Sequence, residues 1–103
     1  MAGEDLQLIT VIVQYKDESK VVDAMLKAGA PGLTYYYGRG TGVRQRIGWI
    51  GRLIQAEKVL IVSAVPTHLA KAVVEAATKA AKLDQPGNGF LVVQKAEYAI
   101  GLC

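Results

Sequence analysis

The sequence predicts an α+β domain of ferredoxin-like βαββαβ architecture, an antiparallel sheet with two helices on one face. Three observations lead there. Leu8–Val13 and Lys58–Val65 are strand-length runs rich in β-branched and aliphatic residues. Each is followed by apolar residues at helical spacing and then by a second short strand-like run, so a strand–helix–strand unit occurs twice. The whole chain is 103 residues, enough for one domain around one modest core.

Taken in order, Leu8–Val13 is the first strand, closed by the polar Tyr15-Lys16-Asp17-Glu18. Asp17 or Ser19 can cap a helix running to about Lys27, with Val22, Met25, Leu26 and Gly29 at helical spacing and Lys20, Asp23 and Lys27 outward. Gly29-Ala30-Pro31-Gly32 ends that helix, and Leu33–Tyr37 reads as the second strand, its tyrosines alternating between core and outside. Lys58–Val65 is the third strand. Pro66-Thr67 opens the second helix, with Thr67 as N-cap and Leu69, Ala70, Val73, Val74, Ala77, Ala80 and Ala81 on one stripe. Asp84–Gly89 turns the chain, and Phe90–Gln94 is the fourth strand.

Composition narrows the function. Hydrophobic residues make up 51% and charged residues 20%, the balance of a folded globular chain rather than a disordered one. A net charge of +3 is too small an excess to indicate nucleic acid. The apolar runs are strand length, so no membrane insertion is expected. A single cysteine, Cys103, offers no intramolecular disulfide, and the acidic Met1–Asp5 does not read as a signal peptide; both point to a cytoplasmic location. No clustered ligands indicate a metal, and His68, the one histidine, has no partner that would make a catalytic triad.

Two glycine-rich segments remain, Gly38-Arg39-Gly40-Thr41-Gly42 and Pro86-Gly87-Asn88-Gly89. Read as turns, both can present backbone N–H groups to an anion. The first opens a connection, 38–56, that is long for so small a domain. Its charges are all basic (Arg39, Arg44, Arg46, Arg52), yet it also carries Ile47, Trp49, Ile50, Leu53 and Ile54. Such a segment is suited to docking on another protein through residues such as Arg46, Trp49 and Arg52. A short helix over 47–55 packed on the chain's own core is the other reading.

The order of these pieces is similar to the P-II signal-transduction proteins. A helix ends in Ala-Gly-Ala, a strand ends in Gly38-Arg39-Gly40-Thr41, a long loop follows, a strand enters Ala64-Val65-Pro66, and Pro86-Gly87-Asn88-Gly89-Phe90 opens the last strand. The resemblance covers nearly the whole chain. It implies a non-catalytic homotrimer that binds adenine nucleotides in clefts between subunits. It also implies a protruding loop, the T-loop, that regulates a target such as a membrane transporter or a metabolic enzyme. On it, Gly38, Gly40 and Thr41 fall at the loop base beside the nucleotide. Ser63, Ala64 and Val65 fall on the strand lining the adenine pocket, and Gly87, Asn88 and Gly89 at the phosphate-holding turn, followed by Phe90.

The sequence departs from that pattern where charge is concerned. Positions at which ATP-binding relatives carry lysine read Gln85 and Phe90, and the tail Ala96–Cys103 has no arginine. A triphosphate depends on such cations, so AMP or ADP is favoured over ATP, with Arg39 and Arg44 as substitute anion ligands. Bicarbonate or another small anion is the further possibility. The region where classical nitrogen regulators carry a modified tyrosine reads Gly48-Trp49-Ile50-Gly51. Two other functions compete: a small enzyme holding a phosphorylated substrate, which lacks an identifiable general base, and an RNA-binding module, which lacks basic residues flanking the strand aromatics.

Overall fold

The computed structural model describes residues 5–40 and 56–101. Among the described residues, four strands and two helices follow one another as β1 (Leu6–Gln14), α1 (Glu18–Lys27), β2 (Thr34–Gly40), β3 (Ala56–Pro66), α2 (Thr67–Ala81) and β4 (Gly89–Ala96), with a 3-10 turn, Tyr15–Asp17, leading into α1. The strands form one sheet in the order β2-β3-β1-β4, every neighbouring pair antiparallel. This is the ferredoxin-like arrangement that the duplicated pattern predicts.

The core lies between the helices and one face of the two central strands. Ile9, Val11 and Val13 of β1 and Val59, Ile61 and Val65 of β3 are buried there against Val21 and Met25 of α1 and Ala70, Val73, Ala77 and Ala81 of α2. Strand residues two apart share a face, which is why the odd-numbered positions of β1 and β3 carry the core. Full burial of each Val or Ile contributes about 1.5–3 kcal/mol. The α2 stripe is as the spacing predicts. That of α1 is shifted: it centres on Val21 and Met25, while Val22 is half-buried and Leu26 is exposed.

Local chemistry sets the ends of the helices. At the C-terminus of α1, Gly29 takes φ +117°, its N–H reaches Leu26 O at 3.1 Å and the Ala30 N–H reaches Met25 O at 3.0 Å. Both are the bonds of a glycine-terminated helix. Thr67 is the first residue of α2 rather than its cap; its hydroxyl donates to Asp5 O instead, at 3.1 Å. Asp17 occupies the position before α1 without a side-chain capping bond; its carboxylate is buried 3.5 Å from Lys20 Nζ.

The tyrosine run also differs from expectation. Tyr35, Tyr36 and Tyr37 are all exposed, because β2 is an edge strand and the helices cover only the middle of the sheet. Among the described residues, no helix lies on the opposite face of the sheet. The register places Leu8 and Ile12 of β1, Leu60 and Val62 of β3, Tyr36 of β2 and Phe90 and Val92 of β4 on it. Tyr36, Phe90 and Val92 are exposed there.

Candidate functional site

The first glycine segment is not a turn at its start. Gly38, Arg39 and Gly40 continue β2 and lie opposite Lys58, Glu57 and Ala56 of β3. Gly38 has no positive φ and nothing within 4 Å of where a Cβ would stand, so extended pairing satisfies it. The long connection is correspondingly shorter, since residues 38–40 and 56 belong to strands. Thr41, Arg44, Arg46, Trp49 and Arg52 lie outside the described residues.

The second segment is a turn, and it is built into the fold. Gly87 has φ +87° and Gly89 φ +133°. A Cβ on Gly89 would stand 2.0 Å from Ile12 O, so only glycine lets β4 enter the sheet beside β1. Gln14, the last residue of β1, donates from Nε2 to Gly87 O at 3.0 Å and to Asn88 Oδ1 at 3.3 Å. Asn88 Nδ2 in turn donates to Lys82 O at 3.0 Å, just beyond α2. The Asn88 side chain therefore braces the turn. What the turn can still offer an anion is backbone N–H groups, and that of Asn88 is already directed at Gln85 O, 3.4 Å away.

Ser63, Ala64 and Val65 fall at the other end of the sheet. Val65 is buried in the core, and Ser63 is buried with its Oγ donating to Gly32 O at 2.7 Å. Ser63 and Ala64 line an open cleft of ≈ 630 Å³, together with Leu6, Leu8, Pro31, Gly32, Leu33, Thr34, Val62 and Pro66. None of these ten residues is charged. The cleft is thus suited to a neutral, largely apolar group, with the Thr34 side chain as a hydroxyl in its wall.

Distances within one chain decide how these parts combine. Gly38–Gly40 and Gly87–Gly89 lie at the same end of the sheet but on its opposite edge strands, three strand spacings or about 14 Å apart. Ala64 is opposite Leu8 and Gly89 opposite Val13, which separates the cleft from the turn by about 17 Å along β1. Among the described residues, the cleft and the glycine turn are therefore separate parts of one chain.

On the edge strand β2, Tyr37 packs edge-to-face with Tyr15, ring centroids 5.5 Å apart, and its hydroxyl donates to Glu18, 3.1 Å from each carboxylate oxygen. That hydrogen bond, then desolvation and the negative charge of Glu18, hold the Tyr37 phenol above its ordinary value of 10.0. Sequence reasoning missed this pair, Gln14 and the Pro31–Thr34 wall of the cleft. Each depends on which strand neighbours which, and Gln14 carries only the faint signal of a polar residue closing an apolar strand. Among the described residues no three His, Cys, Asp or Glu side chains gather as a metal site, and no helix is long and apolar enough to cross a membrane.

The family model for the nitrogen regulatory protein P-II matches residues 6–100. The chain belongs to the P-II family. P-II proteins are signalling regulators, and the fold agrees with that membership. The crystal structure of Arabidopsis thaliana PII bound to citrate superposes with a TM-score of 0.73 at 21% identity, over 96% of this chain and 84% of that one. A comparison with curated proteins finds no match.

Proposed function

We propose that this P-II protein is a non-catalytic cytoplasmic regulator. It assembles as a homotrimer through the helix-free face of its sheet and binds AMP or ADP in preference to ATP at clefts between subunits. The connection 41–55 then acts on a target protein such as a transporter or a metabolic enzyme. The observation that carries the reading is the uncharged cleft beside an uncovered apolar sheet face. The cleft accepts a base, and a second copy is needed to bring a glycine segment near it, because one chain holds the parts about 17 Å apart. The preference for fewer phosphates follows from Gln85 and Phe90 flanking the turn, from a tail without arginine, and from an Asn88 side chain engaged in bracing. Gly38, Gly40, Thr41, Arg39 and Arg44 supply the rest of the anion site in this reading. Citrate, held by the Arabidopsis relative, makes a small polycarboxylate the second ligand class to test, with bicarbonate beside it.

Light scattering and thermal unfolding test the proposal together. The mass should be three times that of the 11.0 kDa chain. AMP or ADP at a hundred times its dissociation constant should stabilise the fold by about 2.7 kcal/mol, with a smaller gain from ATP at equal concentration. A monomer, or a larger response to ATP, overturns it.

A further inference from the structure

We infer that Ser63 is a positioning residue, whose hydroxyl holds the Pro31–Thr34 wall of the cleft in place through its bond to Gly32. The inference rests on the reading of the cleft as a ligand site and extends it to the device that shapes it.

Ser63 interrupts an aliphatic row. Val59, Ile61 and Val65, its neighbours on the same face of β3, are fully buried, and the residue opposite it on β1 is the buried Ile9. A hydroxyl placed among such neighbours is unfavourable unless it is hydrogen-bonded. It is bonded, at 2.7 Å, to a carbonyl 31 residues earlier in the chain, that of Gly32. No buried side-chain nitrogen or oxygen among the described residues lacks a partner.

The acceptor lies in a stretch that regular structure does not hold. The helix-ending bonds of α1 reach as far as the Ala30 N–H, and the β2–β3 ladder begins at Thr34 opposite Val62. Pro31, Gly32 and Leu33 span the gap, and all three line the cleft. Gly32 has nothing within 4 Å of where a Cβ would stand, so packing does not fix it from that side. The Ser63 hydroxyl ties this span to the rigid central strand. Aliphatic residues at 63 would continue the row of β3 but leave the Gly32 carbonyl without its donor and the wall free to move away from Val62 and Ala64.

The test compares wild type with Ser63→Ala and Ser63→Thr by amide hydrogen exchange without ligand and by titration with AMP. In Ser63→Ala, exchange at the end of the β2–β3 ladder next to the wall, Thr34–Tyr35 and Ile61–Val62, should quicken by about three- to tenfold while β1 and α2 keep their protection. AMP affinity should fall by a similar factor, and Ser63→Thr, which keeps the hydroxyl, should restore both. Unchanged exchange at that ladder end, or an increase spread evenly over the sheet, overturns the inference. So does faster exchange there with unaltered AMP affinity. If wild type does not bind AMP, the nucleotide reading alone fails, and the exchange comparison still decides whether Ser63 holds the wall.

Discussion

Replacing Gly89 by alanine should be among the most damaging single changes available in this chain. The residue enters β4 at φ +133°, a conformation an L-residue adopts at a cost of about 1–3 kcal/mol. The added Cβ would also stand 2.0 Å from Ile12 O, 3.1 Å from Ile12 C and 3.1 Å from Val13 Cα, all of them backbone. No rotamer relieves such a contact; either β1 or β4 has to shift, and with it the pairing of Val13 with Gly89 and Ile12 with Phe90. Conformational strain and displaced pairing together should exceed about 3 kcal/mol, the range reserved for specific structural faults. For a domain of this size that corresponds to a fall in melting temperature of at least about 12 °C. Gly38→Ala is the control: Gly38 has an ordinary φ and open space where the Cβ would go, so it should change stability by no more than about 0.5 kcal/mol. Circular dichroism melts of the three proteins at one concentration measure both. A Gly89→Ala melt within a few degrees of wild type, or a Gly38→Ala loss of equal size, would falsify the geometric argument.

Gln14→Ala removes both donations to the Gly87–Asn88 turn, at 3.0 and 3.3 Å. It should lower stability by about 1–2 kcal/mol in urea unfolding and speed amide exchange at 86–90 before that of β3; equal loosening of both regions would argue against a bracing role. Tyr37→Phe should change the alkaline behaviour. Because the folded phenol holds its proton above the ordinary 10.0, the contribution of Tyr37 is present below that pH and is lost as pH rises through the raised folded value. Wild type should therefore lose stability relative to Tyr37→Phe on the alkaline side, followed by urea midpoints against pH; a difference independent of pH would exclude the Glu18 hydrogen bond as its source.

The sequence reveals most where one face of a segment is fully buried. The α2 stripe of Ala70, Val73, Ala77 and Ala81 could be read directly, because solvent exclusion imposes a helical period on it, whereas Leu8–Val13, apolar on both faces, shows a strand but not that Ile9, Val11 and Val13 carry the core. The α1 stripe slipped from Val21 to Val22 because a ten-residue helix has too few turns to fix its phase when Val21, Val22, Met25 and Leu26 are all apolar. The tyrosines of β2 and the run Gly38–Gly40 were misread for another reason: whether a segment is a covered strand, an edge strand or a turn depends on its neighbours, and alternation is silent about neighbours. The candidate site suffered most. Ser63 and Asn88 hold other parts of the chain through bonds across 31 residues and 74 residues, and no local pattern announces such bonds.

In the proposed trimer, the helix-free face of the sheet would make stability a property of abundance as well as of sequence. A chain that leaves Tyr36, Phe90 and Val92 open to water gains nothing from them alone, while whatever settles on that face adds its binding energy to folding by mass action. With a second copy as the occupant, dilute chains should melt earlier than concentrated ones, and a low expression level would act on this protein much as a destabilising substitution does.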